Sequence, residues 1–336
     1  MEQIGLAVDS LETKFVLGGT HRVADGAFSL QIGEQSVKFP MTRREQQAGA
    51  LQPLLAVSSP AAHGQGAQTV VDPAVRRAST VAPEQFALPA SFDLAATGIL
   101  DKIRTTLVPD ASEVTAELYK INVYQTGGHF APHRDTPRGP TCFGSLLVSL
   151  PCAHAGGHLR VSHSGATHVF DFSAGGSSPR HAYYGYGPDA ERKKADALLD
   201  HRPPASLQWA AFFGDAEHEV KPVTEGARLT LAYILRRDAP PDPTCDILLS
   251  RSRAIADALR GALRDPSFLP RGGRIGFECR HLYEEPQLAQ AEAALGGASA
   301  GAKGKGATVR RFVGGSRSDV WARARVAPLA SLSLSL

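Results

Sequence analysis

The chain has 336 residues, a length that suits two domains or one elaborated domain. Hydrophobic residues make up 43% and charged residues 21%, which excludes wholesale disorder; 36 Lys and Arg against 33 Asp and Glu leave a net charge of +3, too small and too dispersed to suggest a nucleic-acid surface. Four widely spaced cysteines (Cys142, Cys152, Cys245, Cys279) without CxxC encode neither a disulfide framework nor a cysteine zinc site, and the absence of a leader-like start or of an apolar run of about 18 residues predicts a cytoplasmic or nuclear chain with no membrane partner.

From the N-terminus, Phe28, Leu30 and Ile32 alternate, Gly33-Glu34 turns, and Val37 and Phe39 alternate again, which predicts a hairpin. Residues 41–68 read as irregular. Leu94 to Leu107 fits a helix, with Ile99, Leu100, Ile103 and Leu107 on one face and Pro109 as its stop. From Leu118 the period drops to two. Strands are predicted at 118–124, 142–150, 158–161, 167–172, 207–213, 217–221 and 227–236, with turns at Thr126-Gly127-Gly128, Gly156-Gly157, Ser164-Gly165 and Pro222–Gly226. Many short strands at close spacing predict an antiparallel sandwich or barrel. Residues 173–206 interrupt the series. They are rich in Gly, Ser and Pro, carry Tyr183, Tyr184 and Tyr186, and read either as a lid at the barrel mouth or as a solvated insertion. An Arg-rich amphipathic helix at 250–264 and a strand at 272–279 follow, and the composition beyond Pro286 is that of a flexible tail.

Absent motifs narrow the chemistry. GAKGKGAT does not fit GxxxxGK[ST], and neither HExxH nor GxSxG occurs, which argues against P-loop, zincin and α/β-hydrolase readings. The histidines are uneven: nine of the 12 lie between His129 and His218. Within that segment His133-Arg134-Asp135 places an imidazole and a carboxylate two residues apart, on one face of an extended chain. That pair is half of a two-histidine, one-carboxylate metal site. His218, on a later strand, is available as the third ligand. With Pro222–Gly226 read as a turn, His218 and Arg228 are predicted on adjacent antiparallel strands, with Arg228, Thr230 and Ala232 sharing one face. An Arg inside an apolar barrel calls for an anionic partner that its planar fork can grip at two points; an edge-strand Arg facing water is the alternative. Arg134, Glu217 and Glu219 alternate away from the ligand face and are predicted to be solvated. Asp215 reads as a group supporting the ligands or as a turn cap.

The order Tyr124, His133-x-Asp135, His218, Arg228-x-Thr230 resembles the iron(II)- and 2-oxoglutarate-dependent oxygenase superfamily, in particular its prolyl-4-hydroxylase-like branch. The stretches YKINVYQTGGHFAPHRDTPR (119–138), FGSLLVSLP (143–151), GGHLRVSH (156–163) and WAAFFGDAEHEVKPVTEGARLTLAYIL (209–235) carry the likeness. It covers 118–236, and 66–117 and 272–283 more weakly. The resemblance implies a mainly β fold with flanking helices (α+β) around a double-stranded β-helix, or jelly-roll, barrel. It implies His133, Asp135 and His218 as iron ligands, Arg228 on the distal carboxylate of 2-oxoglutarate with Thr230 assisting, and Tyr124 reaching the cosubstrate or metal water. Fe(II), 2-oxoglutarate and O2 follow as cofactors and cosubstrates, with ascorbate a further candidate. The implied reaction is hydroxylation of an unactivated C–H bond, a peptidyl proline first among peptide or small-molecule substrates, with release of succinate and CO2. A silent oxygenase-like barrel serving as a sensor or interaction module is the competing class, and a cupin-type metal barrel a third.

The organisation expected is an N-terminal segment 1–65 packing on the core, a helical support region 66–117, the oxygenase core 118–236 with its insertion 173–206, a C-terminal helix and strand within 237–285, and the tail 286–336.

Overall fold

The computed structural model describes residues 14–23, 28–65, 68–136, 138–139, 141–173 and 202–238, pieces between 257 and 268, and the strand backbones Ile275–Glu278, Arg310–Arg311 and Trp321–Ala324. In chain order the first half carries β1 (Val16–Arg22), β2 (Phe28–Ile32), β3 (Gln35–Phe39), α1 (Arg43–Gln47), α2 (Gln52–Ala56), β4 (Ser59–Pro60), β5 (His63–Gln65), β6 (Gln68–Val70), β7 (Arg76–Arg77), β8 (Ser79–Val81) and α3 (Ile99–Leu107). Strands then dominate: β9 (Val114–Tyr124), β10 (His129–His133), β11 (Cys142–Ser149), β12 (His154–Gly156), β13 (Leu159–His163), β14 (Ala166–Phe170), β15 (Ser206–Phe213), β16 (Glu217–Val220), β17 (Val223–Gly226) and β18 (Arg228–Arg237).

Two antiparallel sheets result. The larger has the order β1-β15-β11-β18-β9-β8-β4 and the smaller β14-β13-β16-β10-β7, while β12 pairs with β17 between them. From β9 onward the chain crosses repeatedly between the two sheets: β9, β11, β15 and β18 lie in the large one and β10, β13, β14 and β16 in the small one, where β13 and β14 form a hairpin. This is the jelly-roll core that the sequence suggests. The core also recruits strands from outside 118–236: β1 closes one edge of the large sheet and β8 pairs with β9.

Each long strand of the large sheet separates its side chains by the period of two. One face carries Ile121, Val123, Leu146, Val148, Leu207, Trp209, Leu229, Leu231 and Leu235, packed against Ile99, Ile103 and Leu107 of α3 and the β2–β3 hairpin. The opposite face carries Tyr124, Leu147, Ala210, Phe212 and Ala232, which meet Phe130, Leu159, Val161 and Val220 of the small sheet. The first face makes the main core; the second lines the barrel.

Several local expectations hold. The predicted hairpin is β2–β3, with Gly33 at φ +57 in its turn. The predicted helix begins at Ile99, because Gly98 at φ +72 separates it from a 3-10 turn at Ala95–Thr97. Others do not hold. The stretch 41–68 contains α1 and α2. The first is started by a capping box in which Thr42 Oγ1 accepts from the Glu45 N–H at 3.2 Å and Glu45 Oε2 accepts from the Thr42 N–H at 2.7 Å. Helices this short show no periodicity, but Thr42-x-x-Glu45 was a legible start signal. The turn predicted at Pro222–Gly226 contains β17, which pairs with β12. His218 and Arg228 are therefore not on adjacent strands: β16 lies in the small sheet and β18 in the large one. The reason is topological: after β16 the chain passes through β17, which pairs with β12, and enters the large sheet only at β18.

Tyr183, Tyr184 and Tyr186, and most of the 173–206 insertion, lie outside the described residues. Of the predicted 250–264 helix, residues 257–262 are helical. Ile275–Glu278 pairs antiparallel with Trp321–Ala324.

Candidate active site

In the small sheet β10 lies beside β16, and His133 sits directly opposite His218. The ladder slips between Phe130 and His133, an irregularity of the kind that re-aims side chains near sites. The two imidazoles lie 4.1 Å apart, centroid to centroid, inclined by 55°. Asp135 follows just past the strand end, where its N–H donates to the Gly214 carbonyl at 2.9 Å. One ligand atom from each of His133, Asp135 and His218 lies within 4.8 Å of the other two. His218 Nε2 is 3.7 Å from Asp135 Oδ1.

Backbone carbonyls orient both rings. His133 Nδ1 lies 2.9 Å from the Ala131 oxygen and His218 Nδ1 3.0 Å from the Ala216 oxygen. A carbonyl can only accept, so each Nδ1 carries the proton and each Nε2 presents a lone pair. That is how a metal-ligating histidine is held. Asp135 is held as well, its Oδ2 accepting from Ser145 Oγ at 2.5 Å. Burial first, and then the neighbouring His218, pushes His133 down to about 3, so the imidazole is neutral at physiological pH. Phe130 stacks on His133 at 3.5 Å and Phe212 packs 4.6 Å from His218, giving the two rings an apolar collar.

Across the barrel, Arg228 opens β18 on the large sheet and is 0% exposed. Alternation places Thr230 and Ala232 on the same inward face, as the sequence predicts, while Leu229 and Leu231 point to the main core. The edge-strand alternative is excluded: β18 has β11 on one side and β9 on the other, and Arg228 pairs in register with Tyr124. The guanidinium stands between two aromatic faces, its Cζ 5.4 Å from the Tyr124 ring centre and 5.3 Å from that of Phe172. Among the described residues, neither its Nε, Nη1 and Nη2 nor Thr230 Oγ1 finds a hydrogen-bond partner. Burial lowers the guanidinium only to about 10, which leaves it charged. A fully buried, unpaired cation costs several kcal/mol; a carboxylate satisfies it.

Two glycine features serve this layout. Gly157, at φ +70, leaves room for the Arg228 stem, since a Cβ there would lie 3.0 Å from Arg228 Cδ. In the turn before β10, Gly127 takes φ +79, whereas Gly128 is needed for close approach: a Cβ there would lie 2.7 Å from the Gln125 oxygen.

The structure thus brings His133, Asp135 and His218 together, and sets Arg228, Thr230 and Tyr124 on the facing wall. Arg134 and Glu217 are exposed, as predicted. Glu219 is not solvated. It is 9% exposed and bound to Lys221 at 2.9 Å and Arg160 at 3.4 Å, because β16 pairs with β13 in a register that sets Glu219 directly opposite Arg160. Asp215 lies outside the triad, 3.7 Å from His163 Nε2. Sequence reasoning missed Ser145, which an alternating strand pattern marks only as an inward polar residue. It also passed over His154, which is buried on β12 beside Arg228. Its Nδ1 lies 2.8 Å from the Cys152 oxygen, and burial lowers it to about 4.

No protein-family model and no curated protein matches the chain. Solved structures similar to it include a prolyl-4-hydroxylase from Pseudomonas putida, 18% identical over 70% of this chain and 100% of that one, with a TM-score of 0.37. An oxidoreductase of the 2OG-Fe(II) oxygenase family from Burkholderia pseudomallei is 17% identical over 56% of this chain and 80% of its own, at TM-score 0.30. A prolyl hydroxylase from Trichoplax adhaerens, solved in complex with a hypoxia inducible factor oxygen degradation domain peptide fragment, is 14% identical over 70% and 91%, at TM-score 0.32.

Proposed function

We propose that this protein is an Fe(II)- and 2-oxoglutarate-dependent dioxygenase that hydroxylates an unactivated C–H bond, with succinate and CO2 as coproducts. The observation that carries the reading is Arg228, a fully buried guanidinium without a partner, across one barrel from a two-histidine, one-carboxylate set. Each half explains the other. The His-Asp-His set suits Fe(II) and leaves coordination positions open on one side, and the cation provides for the far end of a dicarboxylate.

The donor set fits the metal. Each imidazole turns Nδ1 to a backbone carbonyl and leaves Nε2 for a ligand, Asp135 is held by Ser145, and the ligand atoms are close enough to meet on one ion. Bound iron with 2-oxoglutarate and O2 would supply the oxidising chemistry. The chain's own residues do the rest. Arg228 grips the distal carboxylate, Thr230 Oγ1 donates to it, and Tyr124 and Phe172 close the sides of the slot. Phe130 and Phe212 keep water from the metal ligands. Within this reaction class, peptidyl proline is the first substrate we propose, on the strength of the motif resemblance.

The test is succinate release with Fe(II), 2-oxoglutarate, ascorbate and a proline-containing peptide library, on the wild type and on Arg228→Met. Release that requires iron and keto acid in the wild type, and falls at least about 100-fold in the variant at limiting keto acid, is expected. A wild type that binds iron but releases no succinate would leave the barrel as a sensor or interaction module.

A further inference from the structure

We propose that the substrate carries a carboxylate, seated on the ammonium of Lys120 on the inward face of β9. The inference rests on the reading of the centre as an iron and 2-oxoglutarate site. Lys120 lies on β9 in register with Ala232 of the inward face, and the ladder slips between this pair and the next, Leu118 with Tyr233. The extra residue is Tyr119, so Lys120 lies on the ladder side of the bulge and shares the inward face with Asn122 and Tyr124. Asn122 holds Arg76, whose guanidinium lies 4.4 Å over the Phe130 ring that stacks on His133. The Lys120 ammonium stands 4.4 Å from the Tyr119 ring centre. The Arg138 guanidinium lies over the same ring at 4.2 Å and donates to the Tyr119 hydroxyl at 2.8 Å.

The charges around Lys120 do not balance. Arg76 and Arg138 both act against its protonation, and the acid acting in its favour is Asp135. Glu117, close in sequence, is taken by Arg236 at 3.0 Å. Arg76 has its own partners, donating to the Ala62 oxygen at 2.7 Å and to Asn122 Oδ1 at 2.9 Å. Among the described residues no hydrogen bond or ion pair engages the Lys120 ammonium. Burial, then the two arginines, lowers it to about 8. A bound centre does not correct the imbalance. The positive charges of a ferrous ion and Arg228 would be matched by a carboxylate ligand and a doubly ionised keto acid, which leaves the cations Arg76, Lys120 and Arg138 without an acid partner among the described residues. A half-buried cation on the inward wall therefore waits on a further anion, and the substrate is the molecule that supplies it.

Labelling reads this without relying on turnover. The full chain, with Fe(II) and 2-oxoglutarate under anaerobic conditions, is acetylated with acetic anhydride at pH 8, and Lys120 modification is followed by mass spectrometry. The probes are the free L-amino acids against their carboxamides, and amide-capped peptides carrying one Asp or Glu against the same peptides with Asn or Gln. At least one acid series is expected to slow Lys120 acetylation about fivefold or more, with no effect of its amide. Protection by free amino acids assigns an α-carboxylate; protection by the peptides assigns an acidic side chain. The protecting acid should also stimulate succinate release. Lys120→Met should raise its KM at least about tenfold and Lys120→Arg restore most of that, with the KM for 2-oxoglutarate changed less than about twofold. Equal protection by the amides, protection by none of the acids, or a Lys120→Met effect on the KM for 2-oxoglutarate instead would overturn the proposal. Succinate release without any added acid reports on iron and keto acid alone. Its absence counts against the reading of the centre, while the labelling result still decides Lys120.

Discussion

The two faces of β18 are buried alike and built unlike. Leu229, Leu231 and Leu235 on one face are each 0% exposed and surrounded by apolar side chains; Arg228 and Thr230 on the other are equally buried, and their side-chain polar atoms find no partner among the described residues. The first face gains free energy by leaving water. The second loses it. Folding is supported from the α3 side of the large sheet, and the barrel side spends part of that stability on groups that bind. Burial alone does not separate a core residue from a site residue; partner satisfaction does.

Mutations can break this division. The largest effect is expected from His218→Ala, which removes one of the facing ligands. Iron affinity should fall by more than about 100-fold, beyond the ~10–100-fold that loss of an orienting partner costs. The thermal midpoint of the metal-free protein should change little. Metal analysis after dialysis, with a melting curve, checks both.

Arg228→Met comes next. Truncating one member of a buried ionic contact costs about 3–5 kcal/mol, so 2-oxoglutarate binding measured by calorimetry should weaken at least about 100-fold. Without ligand the variant should be as stable as the wild type or more so, because an unpaired buried charge has been replaced by an apolar side chain. A large loss of stability would show that Arg228 belongs to the supporting face.

Leu231→Ala, one residue along from Thr230, should do the reverse. It should lower unfolding stability by about 2–5 kcal/mol and leave the 2-oxoglutarate Kd within about twofold. Urea unfolding and calorimetry on the same sample compare the faces directly.

The smallest effect is in pH. The folded chain keeps His154 neutral down to about pH 4 because burial opposes its charge, whereas the unfolded chain protonates it near 6.5. Below about 6.5 the unfolded state therefore binds the extra proton. Stability present above that pH is lost as pH falls towards 4, at up to about 1.4 kcal/mol per pH unit from this residue. His154→Phe should flatten that part of the stability profile by as much. An unchanged slope in urea midpoints between pH 6.5 and 5 would place the pH sensitivity elsewhere.

The barrel and the site differ in how they could be read in advance. Short period-two stretches and apolar runs between Leu118 and Leu235 marked the strands, since a strand buried on both faces reads as a nearly continuous apolar run, and the Gly pairs marked the reversals. His133-x-Asp135 was legible because i and i+2 on an extended chain share a face, and the motif order added His218 and Arg228. The capping box at Thr42 was legible too, although α1 is too short for periodicity to reveal it.

Other features needed the tertiary structure. Sequence places His218 and Arg228 ten residues apart and suggests one hairpin; strand pairing sends them to opposite sheets, because hydrogen-bond partners in a jelly roll are chosen across long sequence separations. That Glu219 is buried under Lys221 and Arg160, that Ser145 holds Asp135, and that Lys120 lies opposite Ala232 on the inward face are likewise decided by which strands meet. A local pattern determines which way a side chain alternates along its own strand. Only the packing of two sheets determines what it then faces, and so whether a buried charge has a partner or awaits one.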